Sequence, residues 1–153
     1  MKKTKKAWAM AKTPAWLSKY VRKIQLRLSR GETEVRIGEH HSDEGTYAQV
    51  NPHEQAAEAE IRFSPDFYND TREGQRNTVV HEVLHLHFIG VDDVLHSWVD
   101  KLAPVDYAMH AMLRRMMYRQ EERIVDFMAR IISPSMPLPP LAKKKGKKRE
   151  RKR

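Results

Sequence analysis

Two histidines four residues apart, with a glutamate directly after the first, make His81-Glu82-Val83-Leu84-His85 the stretch of this 153-residue chain with the most chemical content. On an α-helix, residues four apart lie on one face, one turn above the other. Two imidazoles so placed can point ring nitrogens at a single Zn²⁺ about 2.0–2.1 Å away. Glu82 sits beside them on the same helix, where it is expected to hold the attacking water rather than the metal and to act as general base. With eight histidines in the chain, the pentapeptide alone is a hypothesis. Its surroundings strengthen it, because Thr78 to Gly90 is apolar at almost every position outside the motif. A helix buried on most sides must satisfy its polar groups internally, and a metal with its water satisfies all three at once.

Catalytic zinc keeps three protein ligands and one open position. A third histidine in the metzincin spacing is absent, since Phe88 and Val91 stand where its glycine and histidine belong. A glutamate from a later helix is the alternative, and the run Tyr118–Ile132 offers Glu122 with Asp126 four residues on. Glu122 is a candidate ligand, and Asp126 a candidate to orient a ligating imidazole through its other N–H. Glu121 is the rival, because it falls nearer the centre of the stripe Ile124, Phe127, Met128 and Ile131. His96, Asp106 and His110 complete the candidates for the third position. Tyr107, His110 and Tyr118 are candidates to stabilise an oxyanion.

On the stretches Asn77–His87 (NTVVHEVLHLH) and Glu121–Ile132 (EERIVDFMARII), and more weakly on Ala59–Phe63, the chain resembles the small zinc metallopeptidases of phages and prophages. These are zincins similar in their core to the ImmA/IrrE-type and SprT-like proteins. The resemblance covers about residues 14–135. It implies Glu122 as the third ligand, since Glu122, Val125 and Ala129 fit that group's pattern of a glutamate followed by apolar residues three and seven positions later. The paired leucines and proline of the ImmA/IrrE pattern are missing in register with Glu122, which removes support for a repressor-cleaving role.

The length suits one domain. No run reaches the 18 apolar residues of a membrane span, and Ala7–Ala11 is too short for a signal-peptide core, so a cytoplasmic protein without membrane contact is expected. With no cysteine, a thiolate zinc site and a disulfide scaffold are both excluded. The net charge of +9 is uneven: nine basic residues against Glu150 give residues 143–153 a charge of +8, five lysines give residues 1–12 a charge of +5, and residues 13–142 are left at −4. These blocks are read as basic tails suited to non-specific contact with nucleic-acid phosphates, or simply to solubility. The expected layout is a basic segment over 1–13, a zincin-like domain over 14–135, and a proline-rich linker with a basic tail over 136–153.

The elements that must position the motif follow from periodicity. Ala15–Lys23 reads as a helix, Ile24–Ser29 as a strand, Glu34–Gly38 and Tyr47–Val50 as strands, and Asn51-Pro52 as a loop. Glu58–Phe63 alternates Ala59, Ile61 and Phe63 against Glu60 and Arg62 and reads as a strand, and the resemblance to zincins makes Ala59–Phe63 the candidate edge strand for an extended peptide. Thr71–Phe88 is the metal helix, capped near Asn69–Thr71 and stopped at Gly90. After a less regular stretch, Pro104 introduces a long helix over Val105–Ile132. The pattern gives an α+β class with a long C-terminal helix, and the resemblance implies a small, mostly antiparallel sheet packed on the metal helix. The expected activity is zinc-dependent hydrolysis of a protein or peptide. The alternatives are a DNA-associated SprT-like protease tethered by the tails, and a non-catalytic zinc-binding regulatory protein.

Overall fold

The computed structural model describes residues 13–28, 33–38, 47–53, 58–101 and 103–141, with only the backbone at 51–53 and at 92. Among these described residues the architecture is α+β, a three-stranded sheet and five helices, the last of them long. The first helix, α1 (Ala15–Leu28), buries Leu17, Tyr20, Val21 and Ile24, an i, i+3, i+4, i+7 stripe. It continues through Ile24–Leu28, where the alternation of Ile24, Leu26 and Leu28 suggested a strand. The helical stripe wins because Ile24 packs in the core while Leu26 is 57 % exposed, as a helical wheel requires and a strand does not.

The strands β1 (Glu34–Ile37), β2 (Ala48–His53) and β3 (Glu58–Phe63) are ordered β1-β3-β2. β3 pairs parallel with β1 and antiparallel with β2, so the sheet is mixed rather than mostly antiparallel. β3 buries Ala59, Ile61 and Phe63 and half-buries the charged residues between them. It is the central strand, not the expected edge, and among the described residues the free edges belong to β1 and β2. Asn51 and Pro52 extend β2 instead of forming a loop. Proline is tolerated there because an edge strand has an N–H direction that no ladder needs.

Ser64 caps the short helix α2 (Pro65–Asn69) by accepting from the Phe67 N–H at 3.4 Å. Thr71 caps α3 (Arg72–His85) by accepting from the Gly74 N–H at 3.0 Å. α3 is the hub, packing on α1, α2, β2 and α5 and burying Val79, Val80, Val83 and Leu84. It ends at His85, three residues before the expected Phe88. The His87 and Phe88 N–H groups reach back to Leu84 and His85 at 2.9 Å, which tightens and closes the last turn. Gly90 does not stop this helix. It lies in the first turn of α4 (Ile89–Asp100), where an added Cβ would meet nothing within 4 Å.

Asp106 caps α5 (Tyr107–Ile132) by accepting from the Met109 N–H at 3.0 Å. A 3₁₀ turn (Ser133–Ser135) follows. The proline-rich segment beyond it, expected to be a linker, is a packed strap. Tyr20 donates its hydroxyl to the Pro137 carbonyl at 2.7 Å, the Arg72 guanidinium donates to the Pro139 carbonyl at 2.8 and 2.5 Å, and Pro139 is buried. Burial pushes the Tyr20 hydroxyl up to about 12, against the pull of Arg76 and Arg72.

Candidate metal centre

α3 presents His81 and His85 on the side that faces α5, their ring centroids 4.8 Å apart. Their Nε2 atoms converge to 3.0 Å. Glu122 of α5 meets both, with Oε2 3.6 Å from His81 Nε2 and Oε1 3.5 Å from His85 Nε2. Tetrahedral bonds of about 2.05 Å put neighbouring donor atoms about 3.3 Å apart, so these three separations suit one small cation. Among the described residues this is the only group of three or more side chains able to share a metal ion.

The far side of each ring is also held. Asp126 Oδ1 lies 3.1 Å from His81 Nδ1, and Glu121 Oε1 lies 2.6 Å from His85 Nδ1. Neighbouring glutamates on α5 therefore serve opposite nitrogens of the pair: Glu122 faces the Nε2 atoms and Glu121 backs a ring. A carboxylate at Nδ1 selects the Nδ1–H tautomer and leaves the Nε2 lone pair free. With both Nδ1 positions so held, the two Nε2 atoms and the Glu122 carboxylate are the groups left to share a cation between the helices. This chemistry of the donor set is why the residues fit a divalent metal. The charge balance agrees, with four carboxylates (Glu82, Glu121, Glu122 and Asp126) around two imidazoles.

The local field follows. Burial lowers the proton affinity of His81, but the Glu122 hydrogen bond and the charges of Glu82, Glu122 and Asp126 outweigh it and raise its pKa. The His81 contact is in turn the main reason that Glu122 is held below the usual carboxylate range. Glu82 is buried at the edge of the cluster. Burial pushes its carboxyl up to about 7 and the Glu122 charge adds to the rise, while His81 and a hydrogen bond from the Val50 N–H pull it back.

The Val50 N–H comes from the free edge of the sheet. The Gly38 N–H donates to the Ile61 carbonyl at 2.9 Å, so Ile61 points its backbone groups at β1. Its antiparallel partner Val50 must point away from β3, and Ala48 and Pro52 with it. Tyr118, one turn before Glu122, hydrogen-bonds that carboxylate, and burial followed by the Glu122 charge raises its pKa.

The remaining candidates lie elsewhere. His110 Nε2 contacts Asp100 Oδ1 at 2.9 Å, beside Arg114. Along α5 it is about 18 Å from Glu122, with Asp106 and Tyr107 further still. His96, in α4, belongs to no such cluster. The basic tails lie outside the described residues. Two contacts escaped sequence reasoning: Glu121 as the partner of His85 Nδ1, and the Val50 N–H on Glu82. The first depends on how α5 crosses α3 and the second on strand register, and neither leaves a local signal. Comparison with protein-family models, curated proteins and solved structures returned no match.

Proposed function

We propose that this protein is a zinc-dependent peptidase in which His81, His85 and Glu122 hold the metal. The observation that carries the reading is the convergence of two Nε2 atoms and one carboxylate, with Asp126 and Glu121 behind the rings. A zinc ion held there supplies Lewis acidity to polarise a scissile carbonyl and acidify water. Glu82 does the proton work. Its carboxylate takes a proton from the attacking water and delivers it to the leaving nitrogen. The Val50 N–H keeps the carboxylate oriented, and Asp126 and Glu121 keep the imidazoles turned inward.

A peptide is the favoured substrate because the free edge of β2 runs beside Glu82. The outward carbonyls of Ala48, Val50 and Pro52 suit an added strand, with the Ala48 N–H as the open donor. Tyr118 is the candidate oxyanion donor, as the one of the three proposed groups beside the cluster. A purely structural zinc site would be closed by a fourth ligand and would have no use for a buried Glu82.

The test is zinc content by elemental analysis on wild type, His85→Ala, Glu121→Ala and Glu122→Ala, with peptide-library cleavage by wild type and Glu82→Gln. One zinc per chain is expected, lost in His85→Ala and Glu122→Ala and retained at saturating zinc in Glu121→Ala. Glu82→Gln is expected to keep its zinc and lose roughly 10²–10⁴-fold in turnover. A wild type without zinc after metal-replete purification sinks the metal centre, and unchanged turnover in Glu82→Gln sinks the mechanism.

A further inference from the structure

We propose that the outward face of α5 is a docking surface for an acidic amphipathic helix of a partner protein, a role independent of the hydrolysis. Met109, Met112, Met116, Ile124, Phe127 and Ile131 recur at helical spacing on one side of α5. Each is 47–65 % exposed. Val125 and Ala129, the two residues that α5 buries, lie on the opposite side of the helix. The stripe is about 33 Å long, the length of a six-turn helix. An exposed apolar surface on this scale marks an interaction site.

Charge identifies the occupant. Arg115, Arg119, Arg123 and Arg130 are exposed along one flank of the stripe, and none is in an ion pair among the described residues. Gln120 and Arg123 break the stripe near its middle, leaving a methionine patch on one side and an Ile124-Phe127-Ile131 patch on the other. A lipid surface fits poorly, since the break would press a guanidinium into the acyl boundary, whereas interfacial helices keep cations on the polar face. A second copy fits poorly too. Antiparallel pairing about Gln120 sets Arg119 about 3 Å along the axis from both Arg119 and Arg123 of the other copy. A helix with apolar residues at both ends and carboxylates at its middle and along one flank satisfies every part of the face.

The experiment uses the full chain and a labelled 22-residue amphipathic peptide with leucines at three- and four-residue spacing and glutamates elsewhere, against the same peptide with lysines. Fluorescence anisotropy is expected to show the glutamate peptide binding at least about ten-fold tighter, with that preference shrinking as salt rises. Arg119→Glu/Arg123→Glu is expected to reverse the preference, and Met116→Asp to weaken both peptides, with circular dichroism unchanged in each variant. Equal binding of the two peptides overturns the proposal. So does tighter binding to phosphatidylserine vesicles than to the peptide, or a sedimenting dimer that Met116→Asp dissociates. The peptide swap is made on the wild type, so the outcome stands even if a variant misfolds.

Discussion

α5 is one continuous helix with two unlike halves. Its C-terminal half buries Val125 and Ala129 against α3 and carries Glu121, Glu122 and Asp126 to the histidines. Its N-terminal half, residues 107–120, contains no fully buried residue, and neither does the described part of α4, which packs beside it. The two helices are tied by Asp100 of α4, which accepts from Arg114 at 3.1 Å and contacts His110 at 2.9 Å. One half is thus ordered by a core and the other extends from it as a hairpin. Helix formation and core formation are separate achievements here: the same backbone geometry serves a fixed polar constellation at one end and an uncovered apolar stripe at the other.

Matched aromatic truncations test that contrast most sharply. Phe67 is fully buried and stacks at 4.4 Å on Phe63, whereas Trp98 of α4 is 69 % exposed. Phe67→Ala is expected to cost about 3–5 kcal/mol in urea unfolding, and Trp98→Ala to stay within about 0.5 kcal/mol. Similar losses in both would place α4 in the cooperative core and break the distinction.

The next largest effect is on pH. In metal-free protein, Glu82 titrates near 7 when folded and from its ordinary value of 4.5 when unfolded. The native state therefore holds the extra proton. Its stabilisation is complete below the unfolded value and is lost as pH rises through 7, on the order of 3 kcal/mol between pH 4.5 and 8. The raised pKa of His81 acts in the same direction, and the lowered pKa of Glu122 acts only below its ordinary range. Urea midpoints measured with chelator should fall across that window, and Glu82→Gln should remove most of the fall. A midpoint that rises instead would contradict the buried, proton-holding Glu82.

A smaller effect separates the neighbouring glutamates. Glu121→Gln should weaken zinc binding roughly 10–100-fold without abolishing it, since it disturbs a ring orientation and not a donor. Competition with a chromogenic chelator reads this directly, and complete loss would make Glu121 a ligand. The smallest effect belongs to the hairpin tie. Arg114→Ala should leave both the unfolding midpoint and the zinc affinity unchanged, because its partner Asp100 is exposed and exposed pairs contribute little. A measurable loss of zinc in that variant would show that the hairpin and the metal centre are coupled.

What could be read from the chain depended on the range of the interaction. The residues of the His-Glu pentapeptide are local, and so is the alternation of β3, whose bounds Glu58–Phe63 hold in the structure. Residue type narrows the cap to Asn69, Asp70 or Thr71, and Thr71 is the one that caps α3. The misread segments were decided by distant partners. Ile24–Leu28 satisfies two periods, and only packing on the core chooses between them. Pro52 is permitted in a strand only because β2 is an edge, and β3 is central only because β1 reaches its other side. The choice between Glu121 and Glu122 turned on a resemblance in the sequence, whereas the structure separates them by which imidazole nitrogen each carboxylate meets.

The packed strap has a consequence for how the chain reaches its native state. The hydrogen bond from Tyr20 to Pro137 joins residues 117 positions apart, and the contacts from Arg72 to Pro139 span 67. These closures involve the first helix and the last described segment, so they cannot form early by local search, and high sequence separation slows folding. During synthesis α1 and the sheet emerge first, yet the side of α3 that carries His81 and His85 has no cover until α5 is made, and Tyr20 has no acceptor until residue 137 is made. The fold is fastened last by the carbonyls of Pro137 and Pro139 rather than by any of its regular elements.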